Sequence, residues 1–275
     1  MRKLVKRQVD AGIHFLVPCG TTGESPTLTK KEHLRVVELT LEEAQGKPVV
    51  AGCGGYNTVE LVEMARELNA LGVQGLLSVT PYYNKPSAEG LYQHYAAIAQ
   101  ATDLPIVVYS VQSRTGRNIT PEEMVRIAEI PTVVALKEAS GSIGQMARMC
   151  QELPEDFAVL AGDDAVTVPL MSLGGKGLIS VVGNQIPGEM AAMCDKALAG
   201  DFAGAREIHR RWFPLMDVNF CETSPGPVKY AMARMGLCGE VYRLPMVPIS
   251  QLSKAMVDSV LEDVGLCAPA AAGAK

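Results

Sequence analysis

The segments Asp10-Ala-Gly-Ile-His-Phe-Leu-Val17, Ala70-Leu-Gly-Val-Gln-Gly-Leu-Leu77 and Ser172-Leu-Gly-Gly-Lys-Gly-Leu-Ile179 share one design. Each closes a helix-like stretch on a glycine (Gly12, Gly72, Gly174) and then enters an apolar run. Glycine tolerates the left-handed backbone of a helix C-cap, so the order predicted is helix, cap, strand. Moving outward, strand-like runs fall at residues 13–18, 48–52, 73–80, 105–110, 133–137, 157–162 and 177–182. Amphipathic stretches separate them. Over 30–45 the apolar positions Leu34, Val37, Leu41 and Ala44 recur at steps of three and four, and Leu61, Ala65 and Leu68 repeat the pattern. That period marks one buried helical face. Strands apolar on both sides and separated by helices predict a parallel sheet covered by helices.

A closed barrel and an open doubly wound sheet both satisfy this alternation, and the polar residues choose between them. They gather just past the strand ends: Gly20-Thr-Thr-Gly-Glu-Ser25, Thr80-Pro-Tyr-Tyr-Asn84, Tyr109, Lys137-Glu138 and Gly162-Asp-Asp164. Five strands supplying polar groups at one end is how a barrel builds a site. No GxGxxG follows the first strand, which argues against a dinucleotide fold. The fold class is therefore α/β, a (β/α)8 TIM barrel over residues 1–186. Helices at 187–199, 202–220, 227–235 and 249–264 form a C-terminal helical extension within 187–267, and 268–275 reads as a disordered Ala/Gly/Pro tail. Only seven strands are visible and the chain opens in a helix at 3–11. The expectation is a barrel lacking its first strand, and so less stable than a closed one.

Composition narrows the partners. The 275 residues are 48% hydrophobic with a net charge of −5 and scattered basic residues, which predicts neither nucleic-acid nor membrane-surface binding. No apolar run approaches the roughly 18–20 residues of a membrane span, and the basic start lacks the apolar core of a secretory signal. Seven cysteines, odd in number and without a CxxC pair, suit reduced thiols in a cytoplasmic enzyme. Cys19 adjoins a polar loop, but no histidine lies near it in sequence to make it a nucleophile.

Lys137 ends the run Val133-Val-Ala-Leu-Lys137. A strand-end lysine commonly snorkels to water; in a desolvated barrel mouth its pKa falls and the free amine can attack a ketone. Tyr109 ends the neighbouring strand, where it is either an aromatic cap or a proton shuttle. Thr21 and Thr22 occupy a Gly-flanked turn whose amides can face a carboxylate. Arg114 follows in the loop after Tyr109. The four histidines lack metal-ligand spacing, Asp163-Asp164 reads as a helix cap, and Gly174-Gly-Lys-Gly177 reads as a turn. No metal or organic cofactor is predicted.

Together these motifs carry a resemblance. Gly20–Ser25, Thr80-Pro-Tyr-Tyr-Asn-Lys-Pro86, Tyr109 with Ser113-Arg-Thr-Gly116, Leu136-Lys-Glu-Ala-Ser-Gly141, Ala161-Gly-Asp-Asp164, Gly177-Leu-Ile-Ser-Val181 and Glu222-Thr-Ser-Pro-Gly-Pro-Val-Lys-Tyr230 resemble, in order, the dihydrodipicolinate synthase and N-acetylneuraminate lyase family. The resemblance implies that Lys137 forms a Schiff base with pyruvate and that Tyr109 donates and accepts protons. It implies that Thr21 links Tyr109 to Tyr83, which reaches in from a neighbouring subunit of a homotetramer built as a dimer of dimers. Thr22 and the backbone at Ile179 would hold pyruvate, Gly162 would line the pocket, and Arg114 would steady the carboxylate of aspartate 4-semialdehyde. The implied product is 4-hydroxy-tetrahydrodipicolinate, on the route to diaminopimelate and lysine.

Two departures stand out. Ser110 and Gln112 replace the family's Asn and Pro, which bears on the loop carrying Arg114, and the family's first strand with its Thr-Pro has no counterpart. The alternatives are another class I pyruvate-dependent aldolase acting on a sugar acid, or a non-catalytic keto-acid-binding barrel. Positions matching the family's lysine-feedback cleft are Ser25, Pro26, Lys30, His33, Tyr56, Glu60 and Tyr82. Lys30 is expected to place a positive charge near Glu60 and weaken inhibition by lysine.

Overall fold

A computed structural model describes residues 1–268; most of the tail expected over 268–275 lies outside the described residues. Six strands form one wholly parallel sheet in sequence order: β1 (Val50–Gly52), β2 (Gly75–Val79), β3 (Ile106–Ser110), β4 (Val133–Glu138), β5 (Ala158–Ala161) and β6 (Gly177–Leu178). The helices that alternate with them are α1 (Arg2–Asp10), α2 (Lys30–Glu43), α3 (Thr58–Leu71), α4 (Ala88–Ala99), α5 (Gln112–Thr115), α6 (Pro121–Ala128), α7 (Ile143–Glu152) and α8 (Thr167–Ser172). Local chemistry sets their limits. Thr29 with Glu32 and Thr120 with Glu123 make reciprocal capping boxes that start α2 and α6. Gly72 caps α3 at φ 86°, and Gly12 and Gly174 share the left-handed backbone predicted for them.

The run at 13–18 is not a strand. It contributes a single parallel bridge, Leu16 to Val49, beside β1. The run at 177–182 pairs only over its first two residues and then turns into a 3-10 segment at Val182–Asn184. Both segments have a neighbour on one side alone. A ladder bonded on one side has half the hydrogen bonds to hold it extended, and both frayed.

The two faces of the sheet divide cleanly. Leu76, Ile106, Val108, Leu136 and Val159 pack outward with Ala65, Leu68, Leu91, Met124 and Met146 of the surrounding helices. Leu77, Val107, Tyr109, Ala135, Leu160 and Ile179 form an inner cluster, with Phe15, Val17 and Val50 packed against it. Because that cluster joins the first segments to the last, the sheet is curled as in a TIM-barrel-like fold and not open. After β6 come α9 (Pro187–Leu198), α10 (Phe202–Val218), α11 (Gly226–Arg234) and α12 (Gln251–Asp263). They share a second core that includes Met190, Met193, Trp212, Leu215 and Leu261. No helix among the described residues is long and apolar enough to cross a membrane.

Candidate active site

Register builds the centre of the site. Tyr109 on β3 pairs with Lys137 on β4, and Lys137 pairs with Leu160 on β5. Neighbours in a parallel register point to the same face, here the inner one. The Tyr109–Lys137 pairing depends on an irregularity in which Ile106 faces Val133 but Val107 faces Ala135. That skipped residue brings the inward side chains of the two strands level. Lys137 Nζ then lies 4.1 Å from the centroid of the Tyr109 ring.

Burial dominates the electrostatics. It pushes the Lys137 amine down to about 8, with Arg114 lowering it further and Asp164 opposing. The Tyr109 phenol is raised by burial, while Arg114 and the side chain of Thr21 favour its ionised form. Thr21 and Thr22 sit in a tight turn in which Gly23 N–H donates to the Gly20 carbonyl and Glu24 N–H to that of Thr21. Gly162 closes the floor. A Cβ there would stand 2.6 Å from Ala139 Cβ and 3.2 Å from Lys137 Cε, so only glycine leaves the amine room.

Two cavities meet at Thr21 and Leu77. The larger, about 610 Å³, holds Lys137, Thr22, Leu160 and Ile179; the smaller, about 300 Å³, holds Tyr109 and Arg114. Arg114 lies in α5 and its Nη2 donates to the Ser224 carbonyl at 3.0 Å. The loop that begins with Ser110 and Gln112 therefore still aims Arg114 at the cavity, because a carbonyl from the 222–230 segment anchors it. Seven of the eight site residues inferred from sequence thus line or border this region. Tyr83 does not. It is 89% exposed, on a left-handed backbone, and outside both cavities.

Several roles were not legible in the sequence. Asp163 caps the 3-10 turn at Asp164–Val166, as expected of the acidic pair, but Asp164 does not act as a cap. Its carboxylate is 1% exposed and accepts from Ser180 Oγ, Val181 N–H and Val182 N–H. Glu24 pairs with Lys229 and so ties α11 to the threonine turn. Cys19 is buried with its thiol pushed up to about 12, which removes it as a nucleophile although His33 is close by. Of the positions matching the family's feedback cleft, Ser25, Pro26, His33 and Tyr82 line the smaller cavity, and the rings of Tyr56 and Tyr82 meet edge to face. Lys30 corrects one expectation: its ammonium is held by Glu67 at 2.6 Å, while Glu60 accepts from Asn57. Among the described residues no group of three or more His, Cys, Asp or Glu side chains could hold a metal ion.

A curled parallel β/α sheet with a desolvated lysine over a tyrosine ring at the strands' C-terminal edge defines a Schiff-base-forming lyase. The chain belongs to the dihydrodipicolinate synthetase family, which it matches over residues 1–264. It is 49% identical over 267 residues to the 4-hydroxy-tetrahydrodipicolinate synthase of Koribacter versatilis, covering 96% of this chain and 89% of that protein. Dihydrodipicolinate synthase from Aquifex aeolicus superposes with a TM-score of 0.94 at 41% identity, covering 98% of this chain and 92% of the other. The Thermotoga maritima enzyme gives 0.94 at 43% identity, covering 96% and 92%.

Proposed function

We propose that this chain condenses pyruvate with L-aspartate 4-semialdehyde to give 4-hydroxy-tetrahydrodipicolinate, in diaminopimelate and lysine biosynthesis. The observation that carries the reading is the buried Lys137 amine, held near 8, on the strand beside Tyr109. At pH 7 roughly a tenth of such an amine is free, against about one in a few thousand for a solvated lysine. The free amine attacks the pyruvate ketone carbon, and the carbinolamine loses water as Tyr109 moves the protons. The iminium withdraws electrons, a methyl proton leaves, and the enamine carbon attacks the aldehyde. The amine of the second substrate then displaces Lys137 by transimination and closes the ring.

Thr21 orients Tyr109, Thr22 and the backbone at Ile179 receive the pyruvate carboxylate, and Gly162 leaves space beside the amine. Arg114 offers its guanidinium to the carboxylate of the semialdehyde. Tyr83, exposed in one copy, completes the relay in a second copy of a homotetramer arranged as a dimer of dimers. The enzyme works in the cytoplasm. Residues 1–186 form the barrel and 187–267 its helical extension. The space between the Leu16 segment and β6, bounded by Phe15, Val17, Leu178 and Ile179, would take a further strand, which with the Leu16 segment and the six strands makes the eight of a closed barrel.

Borohydride reduction in the presence of pyruvate tests the reading. A pyruvate-derived mass is expected at Lys137 and is lost in Lys137→Ala. A folded protein that gives no adduct would leave only a keto-acid-binding barrel.

A further inference from the structure

Asp164 is a buried carboxylate to which the mechanism above gives no part. A carboxylate taken out of water is retained only where donors and a cation compensate it. Three donors converge on it, Ser180 Oγ with the backbone N–H groups of Val181 and Val182 at 3.0 Å each. The segment they hold follows directly on Ile179, whose own N–H donates to the Ala161 carbonyl at the end of β5. Ser180 in turn accepts from Gly183 N–H, so one carboxylate shapes the whole turn from Ser180 to Gly183. Gly162, two residues before Asp164, has its Cα face against Lys137 Cε. The carboxylate thus holds the turn that follows Ile179, and it follows by two residues the glycine that packs against Lys137 Cε.

We propose that Asp164 is a positioning residue for the Lys137 amine, binding the Ser180–Val182 turn through its three hydrogen bonds and setting the charge on Lys137 through its own. This rests on Lys137 being the reactive amine. The other groups around this pair are Tyr109 on β3, Arg114 on α5, Asp163 at the same turn and Cys194 on α9; His209 of α10 is hydrogen-bonded to the Ala165 carbonyl and packs on Phe213. Of these Arg114 opposes protonation of Lys137, and Asp164 favours it. Without Asp164 the burial of the amine would go unopposed by a nearby anion. The lysine would lose its proton at lower pH, and the Ile179 turn would lose the acceptor that holds it.

The test reads Lys137 without any substrate. Reductive methylation by formaldehyde and cyanoborohydride, followed at Lys137 by mass spectrometry between pH 6 and 10, gives the midpoint of its titration. In Asp164→Asn, nearly the same in shape but uncharged, the midpoint should fall by roughly half a unit to one unit. Ser180→Ala keeps the carboxylate but removes one donor, weakening its charge, and should move the midpoint the same way by less. It also serves where Asp164→Asn does not fold. A midpoint unmoved in the folded variants would overturn the proposal and leave Asp164 a purely structural anchor, even if the KM for pyruvate rose. Wild-type protein that methylates near pH 8 but never traps pyruvate would instead sink the functional reading, and the shift in Asp164→Asn would still decide whether Asp164 sets the charge on Lys137.

Discussion

Lys137 is the residue at which stability and chemistry pull in opposite directions. Its side chain is buried and its amine falls from an ordinary 10.5 to about 8, because burial penalises the ammonium. Below pH 8 both folded and unfolded chains carry the proton, and the folded one bears the full penalty, roughly 3 kcal/mol. Between about 8 and 10.5 the unfolded chain binds more protons than the folded one, so stability rises with pH across that window. Lys137→Met, which keeps the length and drops the charge, should therefore be inactive yet melt higher at pH 7, by roughly 5 °C. The gain should shrink as calorimetry is repeated towards pH 10. A variant that melts lower at pH 7 would mean that Asp164 compensates the ammonium more than burial penalises it. At this scale the sequence singled out Lys137 and Tyr109 by type and strand-end position, and Arg114 by the family motif in the loop that follows. It was silent on Asp164, which looks like any acid beside a helix start until its partners at 180–182 are brought to it.

Elements explain why the site is open enough to work. The end of β5 passes Lys137 so closely that a single methyl group matters. In Gly162→Ala the new Cβ would lie 2.6 Å from Ala139 Cβ and 3.1 Å from the Glu138 carbonyl as well as against Lys137 Cε. Backbone on one side and the Lys137 side chain on the other leave only the lysine to move. Single-turnover pyruvate trapping should slow by roughly 10- to 100-fold, with modest loss of stability. Gly144→Ala, inside α7 with only Ser142 Oγ at 3.9 Å, is the matched control and should trap at the wild-type rate. Equal rates in both variants would show that Gly162 does not shape the pocket. The strand runs were readable here because β-rich stretches and capping glycines are local signals. The exceptions, 13–18 and the end of 177–182, failed for lack of a second neighbour, which no residue within them could reveal.

At the scale of the whole molecule, no strand pairing among the described residues joins the Leu16 segment to β6. The Leu16 segment has β1 beside it, β6 has β5, and a cavity of about 610 Å³ lies between them. An alternating apolar strand fused to the chain by a linker long enough to reach that space should raise both its melting temperature and its turnover. An extension of equal length made only of polar residues should do neither. If both extensions behave alike in thermal melts and steady-state assays, the space between Leu16 and Gly177 does not seat a strand.

What the sequence determined by itself was the alternation of strand and helix, the left-handed glycine caps, the side of the sheet that carries polar groups, and the family. These follow from residue type and short-range period, which act within a few residues of one another. Tertiary structure alone decided which of the candidates meet. The register shift after Ile106 levels Tyr109 with Lys137, Ser224 anchors Arg114 across 110 residues, and Glu24 meets Lys229 across 205. Asp164 finds its three donors 16 to 18 residues further on. The lowered lysine pKa belongs to the same class, since desolvation is a property of everything packed around the amine and of nothing in the strand that carries it.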